Sequence, residues 1–468
     1  MISGIILIKT NYSFRSNDKP GYIFAPLNNL NKNYIIFSNS KVLKSSNDNL
    51  YCIISLTEKK LFNNIQIAKL ENIIGPVNLL SNQIDSLLYY SDQFQIKKYN
   101  NIIEPGIFTI YNNLLNDLKV NNDYDVISID PLNCRDIDDA VSYIDENNFI
   151  IHIADPNKFH EIYPLTDYYN NYTSLYLQLK TLHLLPEMLS TNIISLIENT
   201  IRPVISIYFR IENDIPEILS IKRQNIKITK NMTYDEADNY INKENIINNL
   251  FKIGKKLENI YYTEDKILKD SHDMVELFML LTNHKIGEFI TNNINNSNNK
   301  ILYRTVIDNQ GVYSWNNLLH DKLNIYNYVH FTSPIRRTAD FITHQLLLKC
   351  LNYEVNNEYK ITDIDTYNNY LSNIKLISNR AKYLTVADKI INGNQYNCKL
   401  IKINETNFTW YIHDFDIKFT CEFCKPEFIN QFEKFIFSLK INESYNIKLY
   451  KIFVTKFKII KLMFEFVL

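Results

Sequence analysis

Glycine is scarce in this chain, with 8 residues in 468 against a usual share of about 7%. Those few are spaced so that neither GxGxxG nor GxxxxGK[ST] occurs, which disfavours dinucleotide and P-loop nucleotide sites. Cysteine is sparse too. Cys52, Cys134, Cys350, Cys398, Cys421 and Cys424 are scattered, as in proteins of a reducing compartment. Neither sign of charge prevails: 50 basic residues face 51 acidic ones, a net charge of −1. No global basic field is therefore available to coat nucleic acid, although a local channel remains compatible with this balance. Long apolar runs are missing as well. Ile5 to Ile8, interrupted by Lys9, is too short for a signal-peptide core, and nothing approaches the ~18 apolar residues of a membrane span. The expectation is a soluble, cytoplasmic protein. Asn, Ile, Lys and Tyr are plentiful instead, with 33 tyrosines, a pattern of AT-rich coding. Asn-rich stretches such as Asn292 to Asn299 read as loop filler.

Against that background the run IDPLNCRDIDDA stands out, with Asp130, Asp136, Asp138 and Asp139 inside ten residues. Two carboxylates ~4 Å apart at an effective dielectric of ~20 repel by about 4 kcal/mol. They must be solvated or neutralised by a cation, and an oxygen-only set suits Mg²⁺ or Mn²⁺ better than Zn²⁺. Asp125 to Ile129 alternates as a strand ending at Asp130-Pro131. Ala140 to Ile144 and Phe149 to Ala154 are two more apolar runs, joined by the turn-like Asp145 to Asn148. The aspartates thus lie on a non-helical loop between strands, which must curl to gather them. An EF-hand loop is excluded, because it needs a central glycine. A solvated acidic loop and a cation site both remain open from these residues alone.

A second block, Ser333-Pro334-Ile335-Arg336-Arg337, reads as a helix start with Ser333 as N-cap and Pro334 at the first position, the helix running to about Leu351. Two arginines in a first turn oppose the helix dipole. A bound phosphate would compensate, and guanidinium suits phosphate better than lysine does. The alternative is a plain Arg336–Asp340 surface pair.

IDPLNCRDIDDA followed by HIAD (His152 to Asp155) resembles the signature of the ribonuclease II family, the RNB-domain exoribonucleases. SLYLQLKTLHLLPEMLS, ENTIRPVIS and YVHFTSPIRRTADFITHQLL resemble its next blocks in order, over roughly residues 120 to 390. The resemblance implies an Mg²⁺-dependent (or Mn²⁺-dependent) 3′→5′ exoribonuclease that hydrolyses single-stranded RNA to nucleoside 5′-monophosphates. It implies Asp130, Asp136 and Asp139 as metal ligands, Asp138 for metal or water positioning, and Arg336 as the transition-state arginine. Tyr176 would stack on a base near the 3′ end, with Arg337 as a structural or RNA-contacting neighbour. Asp388 falls near a family glutamate but reads as a helix-surface residue, and Asn283 matches a family asparagine with no role attached. Departures accompany the match. An arginine of the family appears as Asn171 and a proline as His183, and the stretches between Thr233 and Met274 and between Arg304 and Tyr328 are short. Those losses trim the expected RNA channel and would alter processivity. A catalytically impaired RNA-binding protein is the second reading, and a small-substrate Mg²⁺ phosphoesterase the third.

The expected fold class is multidomain α+β. An RNB-type mixed α/β catalytic domain, 106–390, is flanked by an N-terminal cold-shock or OB-like barrel, 1–105, and a C-terminal OB-fold, 391–468. Short apolar runs at Tyr22 to Ala25, Tyr34 to Phe37, Tyr51 to Leu56 and Ile65 to Ala68 carry the first barrel. Thr233-Tyr-Asp-Glu236 is a capping box, and His272 to Ile290 has helical apolar spacing. The lysines and aromatics from Lys448 to Lys461 suit single-strand binding or a solvated strand face. Cys421 and Cys424 have zinc-knuckle spacing without a second pair, leaving only Cys398 and His413 to complete a site.

Overall fold

The computed structural model describes residues 1–8, 15–16, 18–60, 65–90, 103–116, 120–121, 123–262, 267–294, 300–307, 310–403, 407–415, 417–423, 439–454 and 459–466. The chain forms two compact units, one of Met1–Lys97, Tyr176–Thr181 and Ser372–Leu468, the other of Lys98–Leu175 and Leu182–Leu371. Cys424, residues 295–299 of the Asn-rich stretch and residues 456–458 of the basic tail fall outside the described residues.

The first unit contains two five-stranded barrels. Ile2–Leu7, Lys19–Pro26, Tyr34–Phe37, Leu50–Lys60 and Gln66–Pro76 form the N-terminal one. Its first strand pairs with the second and fourth, which closes the ring, while the third and fifth run parallel. That is OB topology. Ile5 to Leu7 are therefore the end of a strand, Ile6 buried with Phe24, Ile36, Cys52 and Ile54 on one face, Ile5 and Leu7 with Ile23, Ala25 and Tyr51 on the other. Gly4 lies so close to the neighbouring strand that a Cβ would collide with the Ala25 carbonyl.

The C-terminal barrel repeats the pattern with Gln395–Ile403, Asn407–Ile412, Ile417–Phe423, Ser444–Val454 and Ile459–Phe466, the third and fifth again parallel. Trp410 is fully buried there between Phe408 and Phe464. Cys398 and Cys421 are buried in its strands. A cavity of about 960 Å³ within this unit is lined by Tyr51, Tyr90, Lys375, Arg380, Tyr383 and Lys418 among others.

The second unit is built on a seven-stranded sheet. Its order runs Lys230–Thr233, Ile127–Asp130, Asp139–Tyr143, Asn148–Ala154, Ile201–Glu212, Ile215–Lys227 and Val120–Asn121. All pairs are antiparallel except the outermost on each side. Phe149 is fully buried and stacks on Phe209 at 5.2 Å and on Phe278 at 5.2 Å. Because Phe278 belongs to the helix Ser271–Asn293, this stack fastens helix to sheet. Phe149→Ala is expected to cost about 3–5 kcal/mol through lost burial and a residual cavity, read as a lower denaturant midpoint. A loss under about 1 kcal/mol would contradict this packing.

His152 sits in the sheet between Ser142 Oγ at 2.9 Å and Ser206 Oγ at 2.7 Å. Burial pushes its pKa down to about 3. Asp155, fully buried, caps the helix Pro156–His160 and pairs with Arg223. These two residues of HIAD are framework. The capping box at Thr233 and Glu236 is present, as is the helix expected over His272 to Ile290. No helix among the described residues is long and apolar enough to cross a membrane.

Candidate active site

The acidic segment starts where the sheet ends. Asp130 is the last residue of one strand and Asp139 the first of the next, and the chain between them curls through Pro131 to Cys134. Cys134 N–H donates to the Pro131 carbonyl at 3.0 Å, with Asn133 at φ 64°, a conformation asparagine tolerates. The backbone of the curl is held from both sides. Ile137 N–H donates to Ser195 Oγ at 3.0 Å, and the Ile137 carbonyl accepts from Leu196 N–H at 3.0 Å. The Asp138 carbonyl accepts from Ala154 N–H at 2.8 Å.

Three carboxylates are left crowded. Asp130 Oδ2 is buried with no hydrogen-bond partner. Burial, and in lesser measure the charge of Asp136, pushes Asp130 up to about 6, against the pull of Ser128 and Cys134 hydrogen bonds and of Arg336. Asp139 is raised well above the ordinary range by burial and then by Asp130 and Asp138. Asp136 is 8% exposed. Hard oxygen donors, mutual repulsion and an orphaned buried oxygen together fit a divalent cation held by Asp130, Asp136 and Asp139. Among the described residues, the trio whose ligand atoms lie within 4.8 Å of one another is elsewhere: Asp270, His272 and Asp273. There Asp270 caps the helix by accepting from Asp273 N–H, and Asp273 accepts from Lys269 N–H, so their carboxylates are explained by helix capping.

Asp138 meets the arginine turn. It is buried, and both its oxygens are engaged: Oδ1 accepts from Ile335 N–H at 2.8 Å and Oδ2 from Arg336 Nε at 3.1 Å. Burial pushes it up to about 7, opposed by Arg336 and the Ile335 N–H. Each oxygen keeps a further lone pair beside these contacts, so the expected part of Asp138 in metal binding or water positioning stands as a proposal next to its contact with the arginine.

Arg336 is fixed along its whole length. Its second guanidinium nitrogen donates to Ser333 Oγ at 2.8 Å, and its carbonyl accepts from Ser174 N–H and Thr173 Oγ1. The side chain is still 40% exposed. The expected helix start is corrected: the helix is Thr338–Cys350, with extended Arg337 as its cap residue. A bridge from Thr173 to Arg337 keeps the backbone extended there, so Ser333 to Arg336 form a separate turn. Both arginines thus precede the helix, and the dipole conflict does not arise. The expected alternative, an Arg336–Asp340 pair, is replaced by Arg337–Asp340 at 2.8 Å, and Asp340 also accepts from Ser333 N–H. Arg337 holds the turn.

Two contributors escaped the sequence reading. Asn283, given no role there, accepts from Phe331 N–H at 2.8 Å and donates to the Tyr328 hydroxyl at 3.1 Å. It anchors the segment leading into the Arg336 turn. Tyr234, read only as part of a capping box, lies in the field of Asp139 and Asp130; burial first, then those two charges, push its phenol up. Tyr176 is 44% exposed on the short strand Leu175–Leu177 and belongs to the first unit. Asp388 is exposed near the end of the helix Ile364–Lys389.

The raised carboxylates give a pH dependence with a definite sign. Between about pH 4 and pH 7 the folded, metal-free protein binds more protons at Asp130 and Asp138 than the unfolded chain does. The stability this adds is complete below about pH 4 and is lost as pH rises through about 6 and 7. A divalent cation must displace such protons from Asp130 and Asp139, so its affinity rises over the same span. The thermal midpoint gained on adding Mg²⁺ should therefore be larger at about pH 8 than at about pH 5. Equal gains would oppose the assignment.

The RNB domain model matches residues 117–310 and 292–353, together just over half of the chain. Ribonuclease R of Chlamydia pneumoniae is 26% identical over 318 residues, covering 48% of this chain and 47% of that protein. The human exosome complex exonuclease RRP44 is 27% identical over 340 residues, covering 51% and 35%. The chain thus spans a third to a half of the length of these curated relatives. Among solved structures, Mycoplasma genitalium RNase R in complex with double-stranded RNA superposes with a TM-score of 0.70 at 16% identity, covering 100% of this chain and 95% of that one. Yeast Ssd1, described as a pseudonuclease, gives 0.60 at 12% identity, covering 90% and 65%. The structural likenesses are likenesses of fold. The family match spans the acidic curl and the arginine turn that faces it, and the chain belongs to the RNB-domain family.

Proposed function

We propose that this chain is a 3′→5′ exoribonuclease that hydrolyses single-stranded RNA to nucleoside 5′-monophosphates using Mg²⁺, with Mn²⁺ as an alternative. The observation that carries the reading is the buried Asp138, which aims Arg336 beside three crowded carboxylates. Asp130, Asp136 and Asp139 would hold the cation. When bound, it would lower the pKa of the attacking water and offset charge on the leaving oxygen. Arg336, half in solvent and braced by Asp138 and Ser333, is positioned to grip the non-bridging phosphate oxygens and offset charge in the transition state. The relatives' names, ribonuclease and exonuclease, support the same class.

Single-strand recognition draws support from the first unit. Its two OB barrels and the cavity lined by Tyr51, Tyr383, Arg380 and Lys418 combine rings with cations, the chemistry that stacks bases and pairs phosphates. Tyr176, exposed between buried Leu175 and Leu177, is the stacking candidate for the 3′ end. The pseudonuclease description of Ssd1 favours keeping a second reading, an RNA-binding protein impaired in catalysis. Four retained aspartates and Arg336 weigh against it, since a scaffold relieved of chemistry gains nothing from their repulsion.

Digestion of 5′-labelled RNA decides between them. Wild type with Mg²⁺ should give a ladder shortening from the 3′ end, and EDTA should abolish it. Tight binding without a ladder would support the second reading. Turnover of small phosphoesters alone would support the phosphoesterase.

A further inference from the structure

The short stretch between Arg304 and Tyr328 closes on itself. Arg304 N–H donates to the Tyr328 carbonyl at 2.8 Å, and Tyr303 bridges to Val329. Within it Tyr303–Ile307 and Gln310–Ser314 form an antiparallel hairpin, with Arg304 directly opposite Tyr313. The guanidinium carbon of Arg304 lies 4.9 Å from the centre of the Tyr313 ring. Gly311 stands on the same strand face as Tyr313 and leaves room for the cation, since a Cβ there would collide with Arg304 Nη2. Ring and bare glycine make a seat for a planar charge. Stacking occupies only the flat face of a guanidinium. Its N–H donors lie in the plane, and among the described residues no side-chain donor of Arg304 has a hydrogen-bond or acidic partner. The seat is tied to the arginine turn, because Tyr313 Oη and His330 Nδ1 are 2.6 Å apart and His330 leads into Ser333. Burial, then the charges of Arg337, Arg304 and Arg336, hold His330 well below its ordinary range. Asp340 is already held by Arg337 and by Ser333 N–H, and Asp138 by Arg336. Arg304 is the cation of this group left without a carboxylate.

We propose that Arg304, seated on Tyr313 and Gly311, grips a backbone phosphate of the single strand other than the one Arg336 engages. Its free edge suits the paired oxygens of a phosphate. Such a contact carries no base information and fixes the register of the strand. Arg304 is thus a positioning residue, outside the bond-breaking step. The inference rests on the reading of this chain as an RNA-binding nuclease and adds to it a residue that holds the strand.

The test is binding of a single-stranded oligoribonucleotide to the full chain in EDTA, over a range of salt. Each phosphate neutralised on a single strand contributes about 0.7 to the slope of log affinity against log salt. Arg304→Gln should lower that slope by about 0.7 and weaken binding about fivefold at ~0.1 M salt. Arg304→Lys should keep the slope, because the charge remains. A residue that only packs the hairpin would change the melting temperature and leave the slope alone, so an unchanged slope in folded Arg304→Gln overturns the proposal. Wild type supplies a second measurement that needs no variant to fold. Phenylglyoxal, which modifies guanidinium groups, should label Arg304 in the free protein, and saturating RNA should block the label, read by peptide mass spectrometry. No label in the free protein, or a label that RNA does not slow, overturns the proposal as well. Wild type that binds no RNA would sink the functional reading beneath it, whereas tight wild-type binding with an unaltered Arg304→Gln slope sinks this inference alone.

Discussion

Arg336→Ala should lower the rate of RNA cleavage by about 10³-fold while leaving most of the binding in place. Removing a preorganised donor to developing charge costs about 10²–10³ in rate, and phosphoryl-transfer arginines reach 10³–10⁵. The fold should tolerate the change. Arg336 is 40% exposed, so its ion pair adds little stability. Asp138, its partner, is already pushed up to about 7 and can take a proton instead of remaining charged and alone. Arg336→Lys should recover only part of the rate, because the lysine cannot keep both the Asp138 and Ser333 contacts. Single-turnover cleavage and filter binding on one RNA separate the two effects. A rate within tenfold of wild type would remove Arg336 from the chemistry.

Asp139→Asn should move activity and stability in opposite directions. Cleavage should fall on the order of 10³-fold or more, since a cation ligand worth several kcal/mol of charge stabilisation is gone. In EDTA at about pH 8 the same variant should melt about 2 °C or more above wild type. Asp139 is raised well above its ordinary range by burial and by Asp130 and Asp138, and an amide relieves all three penalties. Mg²⁺ should then add little to the midpoint. Scanning calorimetry with and without Mg²⁺ reads both, and a variant that melts lower in EDTA would argue that Asp139 is structural. Such trade-offs between stability and activity are the expected mark of a working site.

Much of this site was legible from residue order. Asp130, Asp136, Asp138, Asp139 and Arg336 carry chemistry in their side-chain type, and a carboxylate cluster announces itself at any distance. The division of labour among them did not, because Asp138 finds its partners at Ile335 and Arg336, nearly two hundred positions away. Ser333-Pro334 resembled a helix start for good local reasons; a contact from Thr173 overrode them. Asn283 and Tyr234 were read as helix residues because their partners, Phe331 in one case and Asp139 in the other, are also remote. Barrel strands showed in alternation and turns, whereas ring closure depends on pairs such as Ile5 with Ala25 and with Tyr51.

The bond from Ile335 to Asp138 also dictates when in synthesis the site can be completed. A growing polypeptide carries its acidic curl long before the turn that completes it, with 197 positions between them. At ~5–20 residues per second that interval lasts about 10–40 s. Throughout it, the nascent chain holds the acidic curl without the arginine turn that completes it.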